Sequence, residues 1–533
     1  MTTVRATVAP EAIDKVTRLF NGTIDDIANE LLQNARRADA SCVTITIHEP
    51  ETHQTFVTIS DDGKGIAAPH ELLSLGKSQW DAQTALREDP AGMGFFSLAG
   101  LDVTVVTTAF SLTIHRDAWT GTKDIEVQRG SAEKGTAITF PTPIISVETI
   151  TRRMAEALKF YPLPATINGE PVKQADFLDG AYRTFETAGL RIGVYKTMPP
   201  SNVPNINFHG LTLRHKLPTL SEIHNAQWFT KIDIVNAPQL VLVLPARKEL
   251  VHNSGEHQLQ QHCLRAMFET IAAEPLHRLA YKDWLIASTF VDLAQPPAWL
   301  SRWHPSPAHQ DYREYPSPEH VPPEAIICET QESSEDITLA HAFSNAEAEF
   351  HVFSPEPNFA GYAWYDAIPK YAVSDYRCLD AAGQPVETDT VSLRPETITV
   401  VLASASQPPI DLATDVAIFD EIYYDADEIS LAVTASAKIT ANDLSHLLYE
   451  ATFCPSDDSD ADSWESQSSR YAHDCQVRAV DLLSGHDAAI EADIELAFNE
   501  KIAWRVPKGK SVTISCADYR TTVVITDAAG ATA

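Results

Sequence analysis

The spacing of apolar residues changes period early in the chain. Ile27, Leu31, Ala35 and Ala38 fall on one side of a helix, so a helix with a single buried stripe is predicted there. Asp25 and Asp26 stand at its start, where carboxylates suit the positive end of the helix dipole. Val43-Thr44-Ile45-Thr46-Ile47 then alternates with the period of a strand, and residues 56–60 read the same way. Further strands are expected at 101–108, 111–115, 125–129 and 136–140, with a short helix at 10–20 and a mostly helical stretch at 69–83. A mixed sheet with helices on one face follows, and the first domain closes near Pro143.

The pattern continues as a strand and helix mixture. A helix at 151–161 carries Met154, Leu158 and Tyr161 at helical spacing. Strands are predicted at 164–167, 191–196, 206–213 and 228–235, with a nearly continuous apolar strand at 239–244. A long helix at 256–274 is stopped by Pro275. Residues 294–323 are rich in Pro, with Trp299, Trp303 and Tyr315 interleaved, the composition of a stiff linker. Beyond them lie strand-like pieces at 325–329, 349–353, 397–402, 511–516 and 521–526, and short helices at 441–450 and 477–483. The expected class is α+β, divided as 1–145, 146–293, the linker 294–323, and a strand-rich acidic C-terminal region 324–533 of no recognised family.

Three short motifs carry chemistry. Glu30 and Asn34 are four apart, so they stack on a face beside the apolar stripe. A carboxylate can take a proton from water and an Asn oxygen can ligate Mg2+, although for the pair alone two polar residues on a wet helix face are the simpler explanation. The strand at 56–60 runs into Asp61-Asp62-Gly63-Lys64-Gly65-Ile66. Gly63 and Gly65 allow a tight turn with close backbone approach, and a carboxylate fixed at a strand end can accept the exocyclic amino group of adenine. An Asp-Gly turn by itself is common. The third motif is Gly92-Met93-Gly94-Phe95-Phe96-Ser97. Glycine-rich turns present N–H groups to phosphates, and a plain loop is the alternative. In this order and spacing the three point to one ATP pocket.

Over roughly the first 140 residues these blocks resemble the GHKL ATPase superfamily, which includes gyrase-type topoisomerases, Hsp-ninety-class chaperones, sensor histidine kinases and MutL repair proteins. Glu30 and Asn34 match the N box, Asp61, Gly63 and Gly65 the first glycine box with Ile66 beside it, and Gly92 to Ser97 the second. The Gly-Phe-Phe-Ser run looks most like the chaperone branch, and Leu75-Gly76-Lys77-Ser78 resembles that branch's lid-side segment. Gly135-Thr136 fits the last nucleotide motif.

The resemblance implies a Bergerat-fold two-layer α/β sandwich, followed by a transducer-like α/β domain. It implies ATP and Mg2+ as cofactors, Glu30 polarising the attacking water, Asn34 ligating the metal and Asp61 holding adenine. The N–H groups of Gly92, Met93, Gly94, Phe95 and Phe96, with Lys77, Ser78 and Thr136, would surround the nucleotide. Arg247 or Lys248 would reach the γ-phosphate from the second domain. One position departs from the family. An Asp commonly follows the N-box Asn by three residues, then Ala-Gly-Ala; here stand Arg37 and Ala38-Asp39-Ala40. Asp39 would take the left-handed place of the glycine.

Composition narrows the partners. With 40 Lys+Arg against 73 Asp+Glu, the 533-residue chain carries a formal charge of −33. Such a field opposes nucleic acid and anionic membranes, so topoisomerase and repair roles are disfavoured and a protein partner or client is expected. An ATP-dependent homodimer is the arrangement that the family suggests. The seven Cys are scattered with no CxxC pair, which suits reduced thiols, and the 19 His form no HExxH. No basic-then-apolar leader opens the chain and no apolar run spans a bilayer, so a cytoplasmic location is expected. The acidic run at 457–462 lacks the glycine and final Glu of an EF-hand and reads as a solvated loop. The expected activity is slow Mg-dependent ATP hydrolysis driving a conformational change in a chaperone-like clamp on protein partners; the alternative is a signalling or defence-type switch binding one dedicated partner, with ATP bound but little hydrolysed.

Overall fold

A computed structural model of the protein describes residues 23–49, 54–73, 94–119, 123–143, 146–197, 203–243, 249–310, 316–387, 392–419, 426, 429–455, 463–517 and 520–527. The predicted helix at 10–20, most of the 69–83 stretch, Lys77, Ser78, Gly92, Met93, Arg247, Lys248 and the 457–462 run lie outside them. The chain divides into two compact units, with the boundary between Pro296 and Pro297.

The first unit begins with α1 (Ile24–Arg37), whose start is capped by Thr23 Oγ1, accepting from the Asp26 N–H. Acidic residues occupy its first turn and Arg36 and Arg37 its last, so both ends suit the dipole. Ile27, Leu31, Ala35 and Ala38 are buried, as their spacing predicts. Each large side chain so buried contributes about 1.5–3 kcal/mol. The helix lies over a sheet of eight strands: β1 (Val43–His48), β2 (Thr55–Asp61), β3 (Val103–Thr107), β4 (Phe110–Ile114), β5 (Val127–Arg129), β6 (Thr136–Thr142), β7 (Ala165–Ile167) and β8 (Glu170–Pro171). Their order is β5-β4-β3-β6-β2-β1-β7-β8, antiparallel except where β7 joins β1 in parallel. Inward residues of β1 and β2 alternate with more exposed ones, which is the pleat of a sheet covered on one face. α2 (Val147–Leu158) adds Ile150, Met154 and Leu158 to the same core, which runs on to Ile167. The two layers are those of the expected sandwich.

A second sheet follows, built from β9 (Arg183–Thr187), β10 (Leu190–Tyr195), β11 (Ile206–Phe208), β12 (Leu211–Leu213), β13 (Leu220–Ser221) and β14 (Gln227–Ile234). The order is β12-β11-β14-β10-β9, with β13 against β14. α3 (Ser254–Ile271) covers it with Leu259, Cys263, Met267 and Phe268. Two expectations differ here. The single strand predicted at 206–213 is a hairpin, because His209 and Gly210 both have positive φ and turn the chain. The apolar stretch 239–244 is not a ladder strand among its described residues. Leu240 and Leu242 are buried, while the backbone pairs locally, Val243 N–H to Glu249 O and Val251 N–H to Val241 O, both at 2.8 Å. Its hydrophobicity reports burial, not sheet membership.

In the second unit β17 (Ile326–Glu329) lies parallel to both β18 (Val352–Phe353) and β19 (Lys370–Leu379), in a five-stranded sheet completed by β21 (Thr397–Ala403) and β22 (Ile410–Thr414), while β20 (Ser392–Leu393), β23 (Val416–Ile418) and β24 (Leu431–Val433) form a three-stranded one. Within the Pro-rich stretch, β15 (Trp299–Leu300) pairs with β16 (Glu319–His320). The helix predicted at 477–483 is the end of a much longer one, Trp464–Ser484, and helices Ser333–Asn345 and His486–Lys501 carry no clear sequence periodicity. At the far end β25 (Lys510–Ala517) and β26 (Arg520–Asp527) form a hairpin in which Ile514, Val523, Val524 and Ile525 are exposed.

Candidate functional site

The site is built where α1, the end of β2 and the start of β6 converge. β2 ends at Asp61, and its carboxylate accepts from the Gly63 N–H at 2.9 Å. Burial pushes the Asp61 carboxyl above the usual range, with Asp62 adding to it and the N–H groups of Gly63 and Thr136 opposing. Gly63 sits against Ala38 at the end of α1: a Cβ there would lie 2.6 Å from the Ala38 oxygen, and the Lys64 N–H bonds that oxygen at 2.9 Å. Gly135 closes the other side. Its φ is +69°, and a Cβ would lie 1.8 Å from the Asp61 oxygen. Asp39, at φ 56°, occupies the left-handed place predicted for it.

The neighbouring acid does different work. Asp62 accepts from the Ser41 N–H at 2.6 Å, the Ser41 hydroxyl, the Cys42 N–H at 3.1 Å and Lys134 Nζ at 3.1 Å. These donors, the Ser41 hydroxyl foremost, hold its carboxyl far below the ordinary 3.8. A depressed folded pKa stabilises above the unfolded value and is lost as pH falls through the folded one. Asp62→Asn is therefore expected to flatten the acid limb of the stability curve below about pH 4. Urea midpoints measured down to pH 2.5 check this, and an unchanged slope contradicts it.

Glu30 is buried, and Gly94 packs directly on it: a Cβ at Gly94 would lie 2.1 Å from Glu30 Oε2. The turn Gly94–Leu98 thus crosses the N-box carboxylate with only a glycine between them. Phe95 and Phe96 turn their rings into the core against Trp119, at 5.6 and 5.9 Å between centroids. Only their backbone is left to meet a ligand. Ser97 Oγ, buried in the same turn, has no hydrogen-bond partner among the described residues, and sequence reasoning assigned it no role. Ile66 is partly buried, and its carbonyl accepts from the Thr107 hydroxyl at 3.3 Å. Thr136 is buried on β6 opposite Asp61. The structure thus brings Gly63 against the end of α1 and Asp61, Gly65 against Gly135, Thr136 opposite Asp61, and Gly94 against Glu30 on the middle of α1, one turn before Asn34.

Residues 23–154 match the family described as "Histidine kinase-, DNA gyrase B-, and HSP90-like ATPase". They form a GHKL-type ATPase domain. No curated protein matches the chain. Among solved structures, the ATPase region of Saccharomyces cerevisiae topoisomerase II is similar at 12% identity, covering 42% of this chain and 76% of that one, with a TM-score of 0.31. The N-terminal domain of a DNA repair protein is similar at 16% identity, covering 36% and 72%, with a TM-score of 0.23.

Within the GHKL domain, Asn34, which the resemblance assigns to Mg2+, has an arginine beside it where the family often carries an Asp. Asn34 Oδ1 accepts from Arg37 Nη1 at 3.2 Å. An amide oxygen has two lone pairs, so one remains for a metal, and the residues fit a divalent ion only with a guanidinium beside it. No group of three or more His, Cys, Asp or Glu that could hold a metal occurs among the described residues.

The GHKL domain is also joined to the second sheet. Gln33 Nε2, one residue from Asn34, donates to the His209 carbonyl at 2.9 Å, both residues being buried. Tyr161 donates to the Leu32 carbonyl at 2.7 Å, and Gly210 packs on Tyr161. The β11–β12 turn is thus seated on the helix that carries Glu30. Gln33 has no sequence signal as a joint; it reads as an ordinary polar helix residue. Residues flanking the predicted sensor loop line a cavity of about 530 Å³ with Arg214, His215, Lys216, Glu249 and His252. There Glu256 is held by His252 at 2.8 Å and His215 at 2.9 Å, which keep its carboxyl below the usual range.

Proposed function

We propose that the chain is an ATP-gated conformational switch with slow ATP hydrolysis, acting on a protein partner. The observation that carries this reading is the stacking of Gly94 on the Glu30 carboxylate. A base, a base-reading acid and two glycine turns then surround one ligand. Asp61 accepts the adenine amino group. Main-chain N–H groups from Gly92 to Phe96, with Lys77 and Ser78, hold the phosphates. Glu30 orients and deprotonates the attacking water. A Mg2+ ion, held at the remaining lone pair of Asn34, would supply charge neutralisation on the phosphates. Arg247 or Lys248 senses the γ-phosphate. Its output passes to the second sheet through Gln33 and His209, so that nucleotide contacts bias one of two arrangements.

An Hsp-ninety-like clamp on protein clients, an ATP-dependent homodimer and a cytoplasmic setting complete this reading. The net charge of −33 supports a protein partner over nucleic acid. A switch with one dedicated partner is the second reading, favoured by the exposed apolar residues of the β25–β26 hairpin. Co-purification from the native cell divides them: many unfolded clients mark a clamp, one stoichiometric protein a dedicated switch. The ATP reading is tested by Asp61→Asn, which should weaken binding of a non-hydrolysable ATP analogue by about ten-fold or more. Equal affinity measured by calorimetry would remove Asp61 as the base reader.

A further inference from the structure

We propose that the β25–β26 hairpin and the segment leading into it dock on an anionic lipid surface. The proposal stands apart from the ATP reading. It gives to lipid the face that a dedicated protein partner would otherwise take. Strand register defines that face. Val512 stands opposite Ile525, and Ile514 opposite Val523. Directly opposed residues, and alternate residues along a strand, share one side of a sheet, so these four make an apolar side. The other side is mostly Ser and Thr, with Val524 among them. Val523 and Ile525 are each 56% exposed, so the apolar side is open to solvent. Neither strand pairs with any other strand among the described residues, and a lone two-stranded sheet is marginal in water.

Charge selects the occupant. From Lys501 to Ala517 the sequence holds four cations, Lys501, Arg505, Lys508 and Lys510, and no acid, within a chain that carries 73 acidic residues. Lys510 is paired with Asp527 across the hairpin. The Arg505 guanidinium lies over the Trp504 ring, 4.8 Å from its centre. Trp504 is 74% exposed, and Ile502 beside it is exposed too. A solvent-facing indole among Lys and Arg, continuous with an apolar sheet face, is the composition of segments that lie in the headgroup layer. The ring and the apolar face enter the acyl boundary, while the cations meet lipid phosphates. The eight-residue strands leave N–H and C=O groups along their open edges, which hydrocarbon cannot satisfy, so the hairpin lies in the interface and does not cross it. The net charge of −33 opposes such a surface, but physiological salt screens charges farther than about 8 Å from the lipid, and the segment in contact decides.

Co-sedimentation of the full chain with large unilamellar vesicles tests this in the absence of nucleotide. One set is pure phosphatidylcholine, the other phosphatidylcholine with about 30% phosphatidylglycerol. In about 0.1 M salt the natural protein should bind the anionic vesicles at least about ten-fold more tightly than the neutral ones, and about 0.5 M salt should remove most of the difference. Trp504→Ser combined with Lys508→Glu should lose about ten-fold or more on the anionic vesicles. Lys438→Glu, the same change of charge at an exposed position outside the hairpin, should lose less than about two-fold. Circular dichroism confirms that each variant is folded, and the comparison of the two vesicle types needs no variant. Equal binding to both vesicle types, or none to either, overturns the proposal and leaves the ATP reading intact. So does a double variant that binds as the natural protein does. Absence of vesicle binding together with a stoichiometric acidic protein held through Trp504 gives the face to a protein instead.

Discussion

Gly135→Ala is expected to lower the stability of the first unit by about 3–5 kcal/mol, combining backbone strain with overpacking. Two independent facts set this size. The φ of +69° is one that an alanine adopts only under strain, and the new Cβ would stand 1.8 Å from the Asp61 oxygen. That oxygen is main chain at the end of a central strand, paired across β2 and β6, so it cannot swing away as a long side chain would. Relief requires β2 and β6 to part, which breaks the ladder beside Asp61. Urea unfolding followed by intrinsic fluorescence measures the loss. A change below about 1 kcal/mol would mean that the β2–β6 contact is looser than it stands here.

The second large effect concerns chemistry. Glu30→Gln should reduce ATP turnover by about 10²–10⁴-fold, the usual contribution of a positioned proton acceptor, while analogue affinity stays within a few-fold. Gln keeps the shape that Gly94 packs upon and removes the basicity, so the glycine turn should hold its place. Single-turnover hydrolysis set beside calorimetric affinity separates the two quantities. Equal turnover in both proteins would leave Glu30 as a packing residue under Gly94.

How much of this was legible in the sequence depends on how local the cause is. The buried stripe of α1, the alternation in β1 and β2, and the left-handed Asp39 follow from nearest neighbours along the chain, and each stands where its pattern put it. The hairpin at 206–213 was hidden because His209 gives no composition signal for a positive φ, although Gly210 beside it does. Residues 239–244 misled because an apolar run reports burial whichever backbone partner it finds. Helix His486–Lys501 buries Ala489 alone and so has no stripe to read. Within the site, the N box and the first glycine box were visible as motifs. The Gln33–His209 joint was not, since it links residues 176 apart in the chain, and only folding brings them together. Arg37 was visible as a departure, but its contact with Asn34 required the structure.

Gly135 backs onto the Asp61 carbonyl with no room for even a methyl group, and this has a bearing on selectivity. A purine seated against Asp61 would rest on main chain that can neither sink nor widen. Discrimination against a bulkier base would then be fixed by the spacing of two strands, beyond the reach of any single side-chain exchange, and retuning the enclosure for another ligand would mean rebuilding the sheet.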